Sequence, residues 1–493
     1  TRDVPWASRI SHWNSWWPYY GGLAAYVSRA CFMLRQGRFV ADILIYSPHA
    51  TMWSERAVWG RERRIMPYGN LARTLVANGY DFDIANDDIL TRKASAKNGK
   101  IEIAGHQYAV LILPNVSVIP IQTMRAIHAL AEAGVLVLAL QTVPTHSAGM
   151  KHHIENDFEL ERLVKEVFYV GRNGVHIPEY VINSIPIRPH REPYKKSPPL
   201  NHAQQMMLKE IGRVVKPDFS LAGNTQSDGL TFIHRIVDDV DIYFITNLEP
   251  SPITTEVTFR VTGKVPQRWN AVTGSVGEMV VFRQDKSGTT MPIDFEAWES
   301  AFFVFTPGNI ADIPSATFQP PRTEPLRISG NWLMTLEGYG FRRLEMKIET
   351  LSSWTENPET RYFSGTGRYE TTFEAPKFSG RKIELDLGSV GTVAEVEING
   401  QKAGVAWMHP YRFDISSLVK RGENLLTILV TNTIANYVAG LSEAPDVPAE
   451  LQPRLGKANP SIYVRSNVAE KDMNETDLPP SGLMGPVTLR ICK

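Results

Sequence analysis

The sequence has little cysteine, no net charge and no long apolar run. Cys31 and Cys492 are the only cysteines among 493 residues, so neither a disulfide framework nor a cysteine-rich metal site is expected. The 52 basic and 52 acidic side chains cancel, which argues against binding to nucleic acid or to an anionic membrane surface. The apolar run Val135–Leu140 is far shorter than the roughly 20 residues that span a bilayer. These absences leave a globular protein, and at roughly 150 residues per domain its length predicts about three domains.

The first half of the chain alternates apolar strands with amphipathic helices. Strands are predicted over Phe39–Tyr46, Ala109–Leu113 and Val135–Leu140, and helices over Pro67–Asn78 and Ile121–Ala133. Strands that are apolar along their whole length are typical of a parallel sheet with helices on both faces. We therefore predict a flavodoxin-like or glutamine-amidotransferase-like α/β domain.

From about Asp218 onward the apolar period changes to two, which is typical of antiparallel strands. This pattern predicts a β-sandwich, followed by a proline-rich boundary at 307–325. The remaining strands, with Asn399-Gly400 as a tight hairpin turn, predict a jelly roll. The predicted fold is therefore multidomain, α/β plus all-β, with an aromatic segment and helix at 1–38, the α/β domain at 39–216, the sandwich at 217–308 and the jelly roll at 326–493.

The opening of the chain is unusually rich in tryptophan. Of the 11 tryptophans, six lie within its first 59 residues, and the stretch around His12, Trp13, Trp16 and Trp17 also contains asparagine and two tyrosines. Sugars expose an apolar ring face that stacks on aromatic side chains, while polar groups bind their hydroxyls. The cluster as a whole therefore points to a saccharide, whereas for any single tryptophan the favoured interpretation is that it wedges a helix start against a neighbouring domain.

The α/β part lacks the catalytic motifs of enzymes that share its predicted fold. No glycine-rich phosphate loop follows Phe39–Tyr46, and no cysteine nucleophile follows Leu113. Neither a G-x-S-x-G elbow nor an H-E-x-x-H pair occurs, and His152-His153 is interpreted as a polar surface pair. Catalysis within this layer is not expected.

A glycosidase needs two carboxylates that flank the scissile bond. Asp3, Asp42 and Glu55 are near the tryptophans in sequence, but a helix start, a strand end or a surface salt bridge explains each of them as well. The sequence alone therefore assigns no catalytic pair.

Several strings nevertheless resemble glycoside hydrolase family 106, the α-L-rhamnosidases and their relatives. They are Trp16-Trp17-Pro18-Tyr19-Tyr20, Leu34-Arg35-Gln36-Gly37-Arg38-Phe39, Ile233-His234-Arg235, Trp269-Asn270-Ala271-Val272-Thr273-Gly274, Ala394-Glu395-Val396-Glu397-Ile398-Asn399-Gly400, Pro410-Tyr411-Arg412-Phe413-Asp414 and Ser481-Gly482-Leu483-Met484-Gly485-Pro486. Some of the jelly-roll strings are also similar to the sugar-binding-like domains of β-galactosidase relatives. The resemblance covers nearly all of the chain but only the latter half of the family architecture.

The resemblance implies an inverting hydrolysis by two glutamates on a (β/α)8 barrel, assisted by calcium. The barrel segments that carry these glutamates would precede Thr1, so no residue here inherits their role, and 1–38 would be the end of that barrel. It also implies that His12, Trp13, Trp16 and Trp17 face the pocket as substrate contacts. A rhamnose-containing glycan as ligand, a catalytic barrel on the same or another chain as partner, and a bacterial periplasmic or secreted location are further expectations.

Two functions remain open at this point. The first is the C-terminal portion of an α-L-rhamnosidase-like glycosidase, inactive by itself. The second is a non-catalytic carbohydrate-binding or interaction protein, in which the jelly roll and the aromatic segment bind glycan. For Trp407 and Tyr411 we predict core packing in the jelly roll, because inward aromatic residues commonly fill such cores.

Overall fold

The computed structural model describes residues 14–54, 65–66, 69–182, 185–186, 198–221, 229–279, 281–308, 325–338, 340–376, 381–440 and 478–492. The chain divides into two compact units, Ala30–Phe318 and Thr1–Arg29 with Gln319–Lys493. Strands predominate over helices in the described residues. Their helices, in chain order, are α1 (Tyr20–Leu34), α2 (His49–Ser54), α3 (Gly69–Ala77), α4 (Asp87–Arg92), α5 (Ile121–Glu132), α6 (His153–Lys165), α7 (His202–Gly212) and α8 (Ala435–Ala439).

The unit Ala30–Phe318 contains a five-stranded parallel sheet. Its strands are β1 (Ile43–Tyr46), β2 (Phe82–Ala85), β3 (Val110–Pro114), β4 (Leu136–Leu140) and β5 (Gly174–Ile177). They lie in the order β5-β4-β3-β1-β2, and every neighbouring pair is parallel. Read in chain order this is 2-1-3-4-5, a common order of doubly wound sheets.

Both faces of this sheet are covered by helices, because each strand buries alternate side chains on opposite sides. On one face Leu111 and Val137 pack with Met124 and Ile127 of α5 and Leu160 of α6. On the other face the core contains strand, α3 and α7 side chains, namely Ile43, Ile112, Leu138, Leu71, Leu75, Met207 and Ile211. The prediction of a parallel sheet between two helical layers is confirmed.

Short strands flank the sheet. Ile65–Met66 pairs with Ile185–Pro186, Val118–Ile119 pairs with His146–Ser147, and Ser95–Lys97, Lys100–Ile103 and His106–Tyr108 form a meander. Most of the proline-rich stretch around 185–200 lies outside the described residues.

The prediction of one strand over Phe39–Tyr46 is wrong. Arg38–Phe39 pairs antiparallel with Arg235 and Ile236, whereas Ile43–Tyr46 is the parallel strand β1. Between them the Val40 N–H donates to the His234 carbonyl (3.0 Å) and the Asp42 carbonyl accepts from Ala109 (2.7 Å). The two strands look like one in the sequence because Val40 and Ala41, which connect the two sheets, are also buried.

A β-sandwich completes this unit. Its strands are β6 (Phe219–Leu221), β7 (Leu230–Val237), β8 (Val240–Asn247), β9 (Ile253–Phe259), β10 (Lys264–Trp269), β11 (Val276–Met279), β12 (Arg283–Asp285), β13 (Gly288–Phe295) and β14 (Ser300–Pro307). One sheet has the order Arg38–Phe39, β7, β8, β14, β10, β11, and the other has the order β6-β9-β13-β12. Aromatic side chains fill the space between them, among them Phe219, Tyr243, Phe259, Phe303 and Phe305.

The unit Thr1–Arg29 with Gln319–Lys493 contains a second antiparallel β structure. Its strands are β15 (Leu326–Arg327), β16 (Trp332–Gly338), β17 (Phe341–Ile348), β18 (Gly365–Glu374), β19 (Lys382–Asp386), β20 (Ser389–Gly391), β21 (Val393–Ile398), β22 (Gln401–Ala406), β23 (Arg412–Asp414), β24 (Glu423–Thr431), β25 (Gly482–Gly485) and β26 (Thr488–Cys492). They form sheets of order β17-β16-β18-β24-β21-β22, β15-β26-β19-β23 and β20-β25. Asn399 and Gly400 both have positive φ, as the predicted two-residue hairpin turn requires.

No helix in the described part of the chain has both the length and the apolar character needed to cross a bilayer.

Candidate functional site

The aromatic segment at the start of the chain is described from Asn14 onward. His12 and Trp13 lie outside the described residues. Trp16 precedes a 3-10 turn, Trp17–Tyr19, in which Pro18 supplies a fixed φ suited to a helix start, and α1 follows directly. Trp16 is half-buried and Trp17 is 38% exposed, so neither indole is sealed inside a core.

The described aromatic rings form a short stack. The rings of Trp17 and Tyr20 are parallel to within 6° with centroids 4.9 Å apart, and Trp16 is tilted against Tyr20 at 6.3 Å. Offset-stacked rings at this spacing attract one another beyond their shared burial. We name Trp16, Trp17 and Tyr20 the aromatic platform. Its partly exposed indole provides the kind of flat surface that stacks on a sugar ring.

The platform is anchored on the jelly roll by its polar neighbours. The Ser15 hydroxyl donates to the Asn432 carbonyl, and the Tyr19 hydroxyl is hydrogen-bonded to the side chains of Thr431 and Glu395. Burial and the negative charge of Glu395 raise the pKa of Tyr19, so this phenol stays protonated across the physiological range. The anchor therefore joins the platform to strands β21 and β24, where Glu395 and Thr431 lie.

An ion pair lies beside this anchor. Lys402 on β22 lies 2.9 Å from the Glu395 carboxylate, and only 15% of the Glu395 side chain is exposed. The two charges offset one another, so the anchor offers hydrogen-bonding groups without a strong field of either sign. Such groups suit the hydroxyls of a neutral ligand.

The prediction for the jelly-roll aromatics is half right. Tyr411 is buried in the core at 4% exposure, and its hydroxyl donates to the Thr392 carbonyl (2.8 Å). Trp407, by contrast, is half-buried and its ring meets Tyr26 of α1 edge-on, with centroids 5.4 Å apart. Trp407 comes just after the end of β22 and leaves the core, so core packing is the wrong interpretation for this residue.

Sequence reasoning missed Glu395 and Lys402 as parts of this site. The alternation Ala394-Glu395-Val396-Glu397-Ile398 does show that the glutamates point away from the core, since Ala394, Val396 and Ile398 are buried. No local signal connects that outer face with a tyrosine more than 370 positions earlier in the chain. The connection is visible only in the fold.

At the centre of the parallel sheet's carboxyl end, the described side chains form hydrogen bonds within the turn that follows β3. Asn115 follows β3 with a positive φ of 48°, a backbone conformation suited to a sharp turn. Its side-chain oxygen accepts from Thr142 (2.9 Å) and its N–H donates to the Leu140 carbonyl (2.9 Å). Beside it Thr51 of α2 accepts from Ser117 and Val118 (3.1 and 3.0 Å). The described side chains at this turn hydrogen-bond with one another or with the backbone, and we assign no acyl-transfer chemistry to them.

A second polar cluster is buried within the sandwich. His234 is 3% exposed and bridges two carboxylates, with Nδ1 2.7 Å from Asp218 and Nε2 2.8 Å from Asp241. Lys264 contacts Asp241, and the Tyr243 hydroxyl donates to Asp218 (2.9 Å). Burial alone would lower the pKa of His234, but attraction to Asp218 and Asp241 outweighs it and raises the pKa. The imidazole therefore carries two protons between two carboxylates.

This cluster is structural rather than catalytic. Arg260 contacts both Asp42, beside β1, and Asp218, in front of β6, so the charges tie the parallel sheet to the sandwich. The ion pair with Arg260 gives Asp42, at the end of a strand, a structural role. Asp3 and Glu55 lie outside the described residues. Because His234 is almost without solvent contact, no substrate reaches its ring.

Calcium is implied here only by the family resemblance. Within the described ranges no group of three or more His, Cys, Asp or Glu side chains is arranged so that it could hold a metal ion. No chemical step is assigned to a metal here.

Comparison with known proteins gives matches over both halves of the chain. Residues 4–284, more than half of its length, match the family model of glycoside hydrolase family 106, described as alpha-L-rhamnosidase. Residues 355–469 match a glycosyl hydrolase 2 galactose-binding domain-like model. The two matches together cover the α/β region, most of the sandwich and much of the jelly roll.

Two longer proteins are similar over nearly the whole chain. A protein of Formosa agariphila named putative beta-glucuronidase is 21% identical, over 97% of this chain and 57% of its own length. The solved structure of the rhamnosidase from Novosphingobium sp. PP1Y superposes with a TM-score of 0.67 at 24% identity, over 97% of this chain and 42% of that one. This chain thus spans about half the length of these relatives, and the second likeness shows a common fold.

Proposed function

This chain belongs to glycoside hydrolase family 106, and from that premise we propose that it is the C-terminal portion of an α-L-rhamnosidase-type enzyme that hydrolyses terminal α-L-rhamnosyl linkages in glycosides or polysaccharides. The observation that carries the proposal is the family match over residues 4–284. The galactose-binding-like match supports a carbohydrate ligand. In the finer layout that we propose, 1–38 is the end of the catalytic barrel, 39–216 is flavodoxin-like and 326–493 is a carbohydrate-binding-like jelly roll.

The acid and base carboxylates are proposed to come from polypeptide outside these 493 residues. The relatives are about twice as long as the stretch that this chain covers. Glycoside hydrolysis needs two carboxyl groups about 5–9.5 Å apart on either side of the bond. At the platform, Glu395 is held by Lys402 and Tyr19, which suits a binding role better than proton transfer.

The part that we assign to this chain is binding and orientation of the sugar. The exposed indole of Trp17, held parallel to Tyr20, would stack on the apolar face of the sugar. Rhamnose is a neutral 6-deoxy sugar whose methyl group enlarges that face, so stacking contributes more of its binding than it does for a uronate. His12, Trp13 and Trp16 are proposed to complete this contact.

A terminal glucuronide is the rival ligand, because the Formosa agariphila relative is named putative beta-glucuronidase. A uronate carboxylate is favoured by net positive charge, whereas Lys402 beside the platform is paired with Glu395 at 2.9 Å and the pair is neutral. This charge balance favours the neutral sugar. The family resemblance also implies calcium and a periplasmic or secreted bacterial protein, and both stay proposals for the parent enzyme.

Replacement of Trp17 by alanine is expected to weaken binding of a rhamnose-terminated oligosaccharide about tenfold, because the ring that stacks on the sugar is removed. Isothermal titration of the purified chain measures this effect. Trp53→Ala is the matched control, since Trp53 is 74% exposed on α2, in the other unit, and its removal should leave the dissociation constant unchanged.

Equal affinities of the wild type and Trp17→Ala would contradict the assigned platform. Tighter binding of a glucuronate-terminated than of a rhamnose-terminated oligosaccharide would replace the proposed sugar with the rival one.

A further inference from the structure

An open groove of about 700 Å³ runs along α6 in the unit Ala30–Phe318. The loop Val143–Thr145 forms one wall, and one face of α6 together with Tyr169 forms the other. This volume lies within the range of small-molecule sites, about 300–1,000 Å³. The groove belongs to a different unit from the aromatic platform, so it is a separate feature of the molecule.

The groove is lined by aromatic rings that do not pack in the core. Phe158 of α6 is 72% exposed and Tyr169 is 63% exposed, and Ile154 beside them is 59% exposed. The opposite face of the same helix is buried through Leu160 and Leu163. An ordinary surface helix would place polar residues on its outer face, so the apolar residues here need another explanation.

Polar side chains converge on the same groove. Asp157, Glu161 and Lys165 line it, and the Ser147 N–H donates to the Asp157 carboxylate (2.6 Å), which fixes that group in place. With two acidic side chains, one lysine and one histidine, His153, along its lining, the groove has no strong field for a polyanion or a polycation. Carboxylates, one of them fixed in place, and an ammonium group beside aromatic rings are the groups that bind a neutral polyhydroxylated ligand.

The position of the groove in the fold also favours a ligand. The loop Val143–Thr145 follows β4, so this end of the groove lies at the carboxyl edge of the parallel sheet, the edge outside which α/β proteins bind their ligands. The chain leaves β4 through Gln141, a non-glycine residue with a positive φ of 67°. Tyr169 lies in a π-helical turn, Glu166–Val170, that continues α6, and such turns are frequent at functional sites.

We propose that this groove is a second saccharide-binding site, which holds a neutral oligosaccharide between the rings of Phe158 and Tyr169 and the carboxylates of Asp157 and Glu161. The proposal rests on the proposed function, because a glycosidase substrate supplies the ligand class. A second site on the same chain would keep a polymeric substrate close while its terminal sugar is at the catalytic centre.

The test is titration of the full 493-residue chain with a rhamnose-terminated oligosaccharide, with stoichiometry read by native mass spectrometry. Two bound ligands are expected for the wild type. The Phe158→Ala/Tyr169→Ala variant should lose one of them, with affinity at the groove reduced about tenfold or more, while Trp17→Ala should lose the other. Phe32→Ala is the matched control, since Phe32 is 65% exposed on α1 and should leave both sites intact.

The outcomes separate the two proposals. If the wild type and the double variant each bind one ligand and Trp17→Ala binds none, the groove site is overturned and the proposed function stands. No bound ligand in any form overturns both. If the double variant binds two ligands but converts a dimer into a monomer in sedimentation velocity, the groove is an interface between copies of the chain, and the saccharide site is again overturned. Equal melting temperatures of all variants verify that the exposed substitutions leave the fold unchanged.

Discussion

His234→Leu is expected to lower the free energy of unfolding of the unit Ala30–Phe318 by about 3 kcal/mol, since it leaves the buried carboxylates of Asp218 and Asp241 without their shared imidazolium. Removal of one partner of a buried ion pair typically costs about 3–5 kcal/mol. The lower end applies because Arg260 and Lys264 still contact the two carboxylates. Urea unfolding measures the loss, and His202→Leu, at an exposed histidine at the start of α7, should stay within about 0.5 kcal/mol of the wild type.

The loss should depend on pH in a defined direction. The raised pKa of His234 means that its charge stabilises the folded state below its ordinary pKa, and that this contribution disappears as the pH rises through the folded value. The lowered pKa values of Asp218 and Asp241 mean that their contribution is present above their ordinary pKa and disappears as the pH falls through the folded values.

The difference between wild type and variant is therefore expected to be largest at about pH 5–6 and smaller at both extremes. Burial raises the pKa of the neighbouring Asp81 to about 7, but Asp81 titrates in both proteins and largely cancels in the difference. A difference that grows steadily toward alkaline pH would contradict the assigned charges.

Gly482→Ala is expected to destabilise the jelly roll by about 3 kcal/mol through two separate effects. Gly482 has φ at 93°, where a side chain is strained. A Cβ at this position would also lie 2.6 Å from the Trp354 indole nitrogen. Trp354 is 2% exposed and donates to the Tyr369 hydroxyl (2.7 Å), so its ring has no room to move. This contact gives a physical reason for glycine in the Ser481-Gly482-Leu483 string.

Gly400→Ala separates the two effects, because Gly400 also has a positive φ (77°) but open space around its Cβ position. It should cost only about 1 kcal/mol, the strain of the turn alone. Urea unfolding of both variants gives the comparison. Equal losses at the two glycines would show that the indole yields, and the steric explanation would be wrong.

Much of the architecture could be predicted because it follows from local periodicity. Wholly apolar runs such as Val135–Leu140 mark buried parallel strands, and three-four spacing marks helices such as Ile121–Ala133. The observed strand Leu136–Leu140 and helix Ile121–Glu132 agree with these predictions to within one residue. Periodicity indicates that a residue is buried, however, but it does not indicate in which sheet the residue lies. For that reason Phe39–Tyr46 was predicted as one strand although it divides between two sheets.

The candidate site could be predicted only in part, for a related reason. Three tryptophans within five residues indicate a stacking surface from composition alone. The contact of Tyr19 with Glu395 and that of Tyr26 with Trp407 join segments far apart in the chain. Because no local pattern encodes such pairing, the prediction for Trp407 was wrong, and Glu395 and Lys402 were not predicted as site residues at all.

The most direct measurement is turnover of an aryl α-L-rhamnoside by the purified 493-residue chain. The chain is used at a concentration at which titration with a rhamnose-terminated oligosaccharide reaches saturation. If this chain orients the sugar and its acid and base lie elsewhere, the saccharide binds and release of the aryl group stays at the rate of buffer alone. Release well above that rate would place both catalytic carboxylates within these residues and contradict the division of labour proposed here.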